Sequence, residues 1–393
     1  MLTKSEILAT KLWYQKFGFG VDGMKIAFVG TMGIPARYGG FETCVEEVAT
    51  RLAKKGHEVT VYCGYRDLKP QMKSYKGVHL VYVHCLKSKF LDFPFRAFVS
   101  TLQTLHRNFD LVHYFGSDAW PFTLIPRMFS SKTVITLDGL VWNRISYPLW
   151  ARKILRSTAR YALYLPNASI VDSRSVQDWY LKNLGKTPIY VPYGANIDLS
   201  APDKTTLDNK NLENKKYILF VGRLVREKGV HYLVEAFKKI KTDFELVIIG
   251  GDPYDKEYEL FLRRNANKNT QFLGYVYGKD YENLCKGAYL YVTPSELEGT
   301  SPALLTAMAL GKCVLVSDIP ENLETIGDAG FSFRHGDSED LKEKLQFLLA
   351  NPETVNKMER TAIDRVEKYY DWNKITDTIE KIYASLVRNQ NSQ

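Results

Sequence analysis

Residues 24–56 read MKIAFVGTMGIPARYGGFETCVEEVATRLAKKG, and this stretch decides the fold class. Its start, MKIAFVG, is a short apolar run of the kind buried on both faces of a parallel sheet. Its end, FETCVEEVATRLAKKG, puts Val45, Val48, Ala49 and Leu52 on one face of an amphipathic helix. Glu42, Glu46 and Glu47 stand near the helix start, Arg51, Lys54 and Lys55 near its end, and Gly56 follows. That order suits the helix dipole and a glycine stop. A strand joined to a helix through a glycine-rich loop is the repeating unit of parallel α/β architecture.

The same alternation runs outward along the chain. Further strands are predicted at 59–63, 79–85, 111–115, 133–137, 169–172 and 189–192, with helical patterns between them. Residues 199–216, LSAPDKTTLDNKNLENKK, are polar and turn-rich. Beyond them, strands restart at 217–222, 244–250, 271–274, 289–292 and 313–317. Two doubly wound, Rossmann-like domains are therefore expected: 24–200, then a linker at 201–216, then 217–370. Residues 1–23 form an N-terminal extension, and a helix within 371–393 is expected to pack back on the first domain.

Composition narrows the class. The 393 residues are 45% hydrophobic and 25% charged, as in a soluble globular protein, which excludes disordered and disulfide-scaffold classes. The five cysteines, Cys44, Cys63, Cys85, Cys285 and Cys313, form no CxxC pair and read as buried free thiols in a reducing cytosol. No metal site is expected. The N-terminus lacks the apolar core of a signal peptide, and no run reaches the ~18–20 apolar residues that span a bilayer.

In open parallel sheets, ligands bind beyond the carboxyl ends of the strands, and the unusual residues here fall there. The loop after the first strand carries Gly30, Gly33, Gly39 and Gly40, where a phosphate can approach backbone N–H groups. It is neither a G-x-G-x-x-G fingerprint nor a P-loop. Asp138 is a candidate substrate contact, because GLVWNRISYPLW after it does not begin a clean helix, and Asp172-Ser173 reads as a helix cap. In the second half, Arg223, Arg226, Lys228 and Gly229 follow a strand and precede a helix, an arrangement that suits a diphosphate. Glu296 and Glu298 end the fourth strand of that half, where a cap and a ligand contact both explain a carboxylate.

The segments GRLVREKG and PSELEGTSPALLTAMALGKCVLVSD resemble the retaining, nucleotide-sugar-dependent glycosyltransferases of family 4 (group 1), with the GT-B fold. GIPARYGGFETCVEEVATRL and TLDGLVWNR resemble the branch containing bacterial polysaccharide rhamnosyltransferases. The resemblance covers 24 to about 388. It implies that Arg223 and Lys228 hold the donor diphosphate over Gly39 and Gly40. It implies that Glu298, followed by Gly299 and Thr300, contacts the donor sugar, and that Gly274, Tyr275 and Val276 hold the nucleobase. It places Asp138 and Asp172 on the acceptor side. The second glutamate of the E-x7-E motif is replaced by Thr306. A charge-assisted ribose contact, worth roughly 1.5–3 kcal/mol, is thereby lost.

The implied activity is metal-independent transfer of a sugar, rhamnose or another hexose, to a growing lipid-linked glycan, with no cofactor beyond the donor substrate. A non-catalytic GT-B binding protein and a GT-B epimerase are the alternatives. Charge bears on location. Residues 1–200 hold 26 Lys and Arg against 14 Asp and Glu, while 201–393 hold 27 against 30, within a formal net charge of +9. Arg144, Arg152, Lys153, Arg156 and Arg160 share a stretch with Trp142, Tyr147 and Trp150, and LKSKFLDFPFRAF adds further aromatics. Basic groups among aromatics suit an anionic membrane surface. No nucleic-acid motif accompanies them. The expected location is cytoplasmic, peripheral on the inner face of the cell membrane.

Overall fold

The structure is a computed structural model that describes residues 23–36, 39–65, 72–88, 91–137, 139–143, 148–212, 216–252 and 256–388. Asp138, Arg144 and Tyr147, all singled out above, lie outside the described residues.

Two sheets form, as the alternation predicts. The first contains β1 (Lys25–Val29), β2 (Glu58–Tyr65), β3 (Ser74–Tyr75), β4 (Val78–His84), β5 (Leu111–Phe115), β6 (Lys132–Thr136), β7 (Ala168–Val171) and β8 (Ile189–Tyr190), in the order β3-β4-β2-β1-β5-β6-β7-β8. All neighbours pair parallel except β3 with β4. The second contains β9 (Tyr217–Val221), β10 (Glu245–Ile249), β11 (Thr270–Gly274), β12 (Leu290–Thr293), β13 (Cys313–Ser317) and β14 (Phe331–Phe333), in the order β11-β10-β9-β12-β13-β14 and wholly parallel. In each sheet the strand order reverses beside the first strand of its half, β1 or β9, which creates the ligand-binding crevice of doubly wound folds. The central strands are buried on both faces, as their continuous apolar runs require.

The Gly40–Lys54 helix buries Val45, Val48, Ala49 and Leu52 as the periodicity predicts, and Gly56 follows it at φ +98°. The stretch expected as linker carries a short helix, Lys204–Asp208, capped by Asp203. Leu207 and Leu212 are buried in one apolar cluster that runs from Val45 through Tyr193 to Tyr217 and Ile379. Among the described residues, the connection is thus anchored to the core at these two leucines. Two short strands, β3 and β14, escape the sequence reading because each is too brief to show a period.

The Trp372–Arg388 helix returns to the first domain. Lys55 pairs with Asp377 and Glu380, and His57 Nε2 lies 3.0 Å from Glu380 Oε1. Deeper in, the two ring nitrogens of His113 hydrogen-bond the Tyr383 and Thr136 hydroxyls. All five cysteines are buried free thiols. Trp142, grouped above with the basic aromatic stretch that suits a membrane surface, is buried, its ring 4.7 Å from that of Trp179. Among the described residues, no helix is long and apolar enough to cross a membrane.

Candidate functional site

The carboxyl ends of the two sheets face each other, and their loops touch. A Cβ on Gly40 would lie 3.1 Å from Pro302 and 3.3 Å from Tyr193. One on Gly139 would lie 3.4 Å from the Glu298 carbonyl. Asp172 reaches furthest: its Oδ2 accepts from Thr300 N at 3.2 Å, and its carbonyl accepts from the Thr300 hydroxyl. Asp172 is itself buried. Nearby, Glu324 Oε2 accepts from Arg174 N at 2.8 Å and Glu321 Oε1 from Ser175 Oγ at 2.6 Å. The cleft is therefore closed at this edge by hydrogen bonds between the domains.

On the first-domain wall, Gly39 precedes the Gly40–Lys54 helix in extended conformation with no side-chain cap, and the approach of Gly40 to Pro302 sets this helix start against the second domain. Glu42, in its first turn, is buried and accepts from Met32 N at 2.8 Å. Burial pushes its carboxyl above the usual range, while the Met32 bond pulls the other way. Glu46 accepts from Ala36 N at 2.7 Å. Two glutamates thus hold the loop after β1. Sequence reasoning read them as dipole partners and missed this second task, whose signal for Glu42 is a carboxylate in the first turn beside the apolar stripe.

The second-domain wall is built on β9 and β12. After β9 the chain passes Arg223, which is half-buried, and tightens into a single 3-10 turn, Arg226–Lys228. Gly229 ends that turn at φ +62° and starts the Val230–Lys238 helix. A Cβ there would stand 2.0 Å from the Pro294 carbonyl, so the position admits glycine alone without rearrangement. The close approach docks the basic turn against the loop after β12. There Lys228 Nζ pairs with Glu298 Oε1, which also accepts from Ser295 Oγ at 2.7 Å. Glu298 is not the cap of the helix that follows: Ser301 caps Pro302–Ala309, accepting from Leu304 N. The Glu298 carboxylate is thereby held by Lys228 and Ser295 and not by the helix start. Glu296 accepts from the Tyr232 hydroxyl, a contact the sequence did not disclose.

The remaining expected donor contacts are more dispersed. Gly274 ends β11 at φ +66° with open space around it, and Val276 packs on the core. The Tyr275 ring is half exposed, lies against Gly251 and stacks with Tyr277 at a centroid distance of 6.0 Å. Thr306 sits on the Pro302–Ala309 helix and shares a hydrogen bond with the Tyr281 hydroxyl. Its side chain is thus engaged inside its own domain. His113 and Tyr193 are both buried, His113 in the core and Tyr193 behind Gly40. Ser173 caps the Arg174–Leu184 helix as predicted, which frees Asp172 to cross the cleft.

Two family models match the chain in succession. The one described as Glycosyltransferase Family 4 covers residues 38–198, and the one described as Glycosyl transferases group 1 covers residues 203–365. An uncharacterized glycosyltransferase of Methanocaldococcus jannaschii is 29% identical over 330 residues, which is 77% of this chain and 83% of that one. The N,N'-diacetylbacillosaminyl-diphospho-undecaprenol alpha-1,3-N-acetylgalactosaminyltransferase of Campylobacter jejuni is 29% identical over 187 residues, 46% of this chain and 48% of that one. Among solved structures, Anabaena HepE in complex with UDP-glucose superposes with a TM-score of 0.75 at 16% identity, covering 92% of this chain and 100% of that one. That likeness concerns the fold, and the fold is the GT-B arrangement that the sequence implies.

Proposed function

We propose that this chain, which belongs to the family 4 (group 1) glycosyltransferases, moves a hexose, rhamnose foremost, from a nucleoside-diphosphate sugar to a growing lipid-linked surface glycan. The observation that carries this reading is the Lys228–Glu298 pair, faced across the cleft by Gly139, with Gly40 against Pro302 a few residues further on. Breaking the anomeric C–O bond leaves negative charge on the diphosphate. Lys228, Arg223 and the N–H groups above Gly39 and Gly40 supply positive potential where that charge develops. Glu298 contacts the donor sugar, and the backbone at Gly274, Tyr275 and Val276 receives the base.

The acceptor hydroxyl attacks from the face the diphosphate leaves, so the configuration is retained. Its oxygen gains the anomeric carbon, and its proton passes to a leaving phosphate oxygen. Closure through Asp172 and Thr300 excludes water and favours transfer over hydrolysis. Asp138 takes the acceptor side. Thr306 offers the ribose one neutral hydrogen bond at most, so nucleotide affinity is weaker than a glutamate there would give.

Rhamnose is favoured by the likeness of GIPARYGGFETCVEEVATRL to the rhamnosyltransferase branch. A lipid-linked acceptor is supported by the diphospho-undecaprenol substrate in the name of the Campylobacter relative. An acceptor of that kind sets the protein at the cytoplasmic face of an anionic membrane. The test is a panel of nucleotide sugars incubated with purified protein, with and without lipid-linked glycans. Acceptor-dependent release of nucleoside diphosphate is expected, and its absence across the panel overturns the proposal.

A further inference from the structure

Three segments on one face of the first domain leave apolar side chains uncovered. On the Asp92–Thr104 helix and the residue before it, Leu91, Phe95, Phe98 and Leu102 are exposed at intervals of four, three and four, a single stripe. Beside it, the Leu124–Met128 turn presents Leu124, Met128 and Phe129, with Met128 81% exposed. Phe98 packs on Phe122 of the Ser117–Thr123 turn, which leads directly into Leu124–Met128, their rings 6.0 Å apart. On the Leu149–Tyr164 helix, Trp150, Ile154 and Tyr161 form a third exposed stripe, joined to the Ser117–Thr123 turn by Trp120 stacking on Tyr161 at 4.9 Å. The inner side of this helix, Ala159, Ala162 and Leu163, is buried in the domain core. The outer stripes are thus surplus to what the core needs.

Charge says what covers them. Lys153, Arg156 and Arg160 are exposed at intervals of three and four on the Leu149–Tyr164 helix, directly beside the apolar stripe, and that helix holds no acidic residue. Arg127 adds a further exposed cation. Across the three segments the one acidic residue, Asp92, is buried against Arg96, and the neighbouring Ser117–Thr123 turn adds a single exposed carboxylate, Asp118. A protein partner built for apolar contact would not require this one-sided charge, whereas an anionic bilayer surface matches both components at once. Indole and aliphatic groups enter the headgroup boundary while guanidinium and ammonium groups meet lipid phosphates.

We infer that this three-segment face is a monotopic docking surface for anionic lipid, an inference that rests on the lipid-linked acceptor proposed above. Topology sets its use. Helices in a parallel α/β layer run against their strands, so the starts of the Asp92–Thr104 and Leu149–Tyr164 helices lie at the carboxyl rim where the cleft opens. Docking therefore holds the acceptor side of the cleft at headgroup depth.

Flotation with vesicles tests this without any catalysis, so its failure is separable from failure of the transferase reading. The purified full chain is expected to float with vesicles of phosphatidylcholine and phosphatidylglycerol, to release as salt rises, and not to float with phosphatidylcholine alone. The Lys153→Ala/Arg156→Ala/Arg160→Ala variant is expected to lose roughly 100-fold in partitioning, at about fivefold per charge. The Trp150→Ser/Ile154→Ser variant is expected to lose binding while its thermal transition stays unchanged, because both side chains are exposed. Absent binding, equal binding to both vesicles, or binding unaltered in either variant overturns the inference. So does a concentration-dependent dimer that the Trp150→Ser/Ile154→Ser variant abolishes, since the face is then a contact between copies of this chain.

Discussion

Replacing Lys228 with alanine separates what the Lys228–Glu298 pair does for stability from what it does for transfer. The Glu298 side chain is 8% exposed and that of Lys228 20% exposed, so water screens the pair less than a surface ion pair worth about 0–1 kcal/mol. Without the ammonium, Glu298 keeps the Ser295 hydroxyl at 2.7 Å as its donor among the described residues. An under-satisfied, nearly buried carboxylate costs about 1–3 kcal/mol. At roughly 2–4 °C per kcal/mol for a domain of this size, the thermal transition is expected to fall by several degrees. The rate effect is larger. A cation removed from charge that develops in the transition state costs at least ~100-fold in kcat, about 2.7 kcal/mol. Initial rates of nucleoside-diphosphate release, at saturating donor and with the melting temperature measured in parallel, read both quantities. Adding Glu298→Gln removes the stranded charge, so the double variant recovers stability but not turnover. A kcat within about threefold of the unaltered protein refutes the assignment of Lys228 to the diphosphate, whatever happens to the melting temperature.

Gly229→Ala must hold φ near +62° and move the Pro294 carbonyl, which a Cβ would approach to 2.0 Å. A loss of about 3 kcal/mol or more is expected in urea unfolding, and an unchanged midpoint refutes the close approach. Gly299→Ala places a methyl 2.7 Å from Asp172 Oδ2 without backbone strain. Lower kcat and a larger radius of gyration in X-ray scattering are expected, whereas full activity at unchanged dimensions refutes closure through this contact. Burial pushes the His113 imidazole from its ordinary 6.5 down to about 3. Its folded pKa lies below its unfolded one, so its contribution is full above about pH 6.5 and is lost as pH falls toward about 3. His113→Gln is expected to flatten the fall of melting temperature across that window, and a parallel curve refutes it.

Much of this was legible in the chain itself. The strand runs and the helical stripe of Val45, Val48, Ala49 and Leu52 dictate two parallel α/β halves, because burial on two faces or on one stripe leaves a local period. Lys228, Gly229 and Glu298 were legible as candidates for a similar reason: each lies within a few residues of a strand end, and doubly wound sheets bind ligands there.

Relations between distant segments left no such period, and the tertiary structure alone decided them. Asp172 and Thr300 are 128 positions apart, and nothing local marks the first as a tie across the cleft rather than part of a helix start. Glu298 was ambiguous between cap and ligand until Ser301 took the cap. Trp142 and Trp150, eight residues apart in one basic aromatic stretch, were equivalent in sequence. Packing buried the first against Trp179 and left the second in solvent. Local periodicity records which side of its own element a residue occupies. Which other element covers that side depends on how the sheets and helices come together, and the cleft and the exposed basic face are both settled at that level.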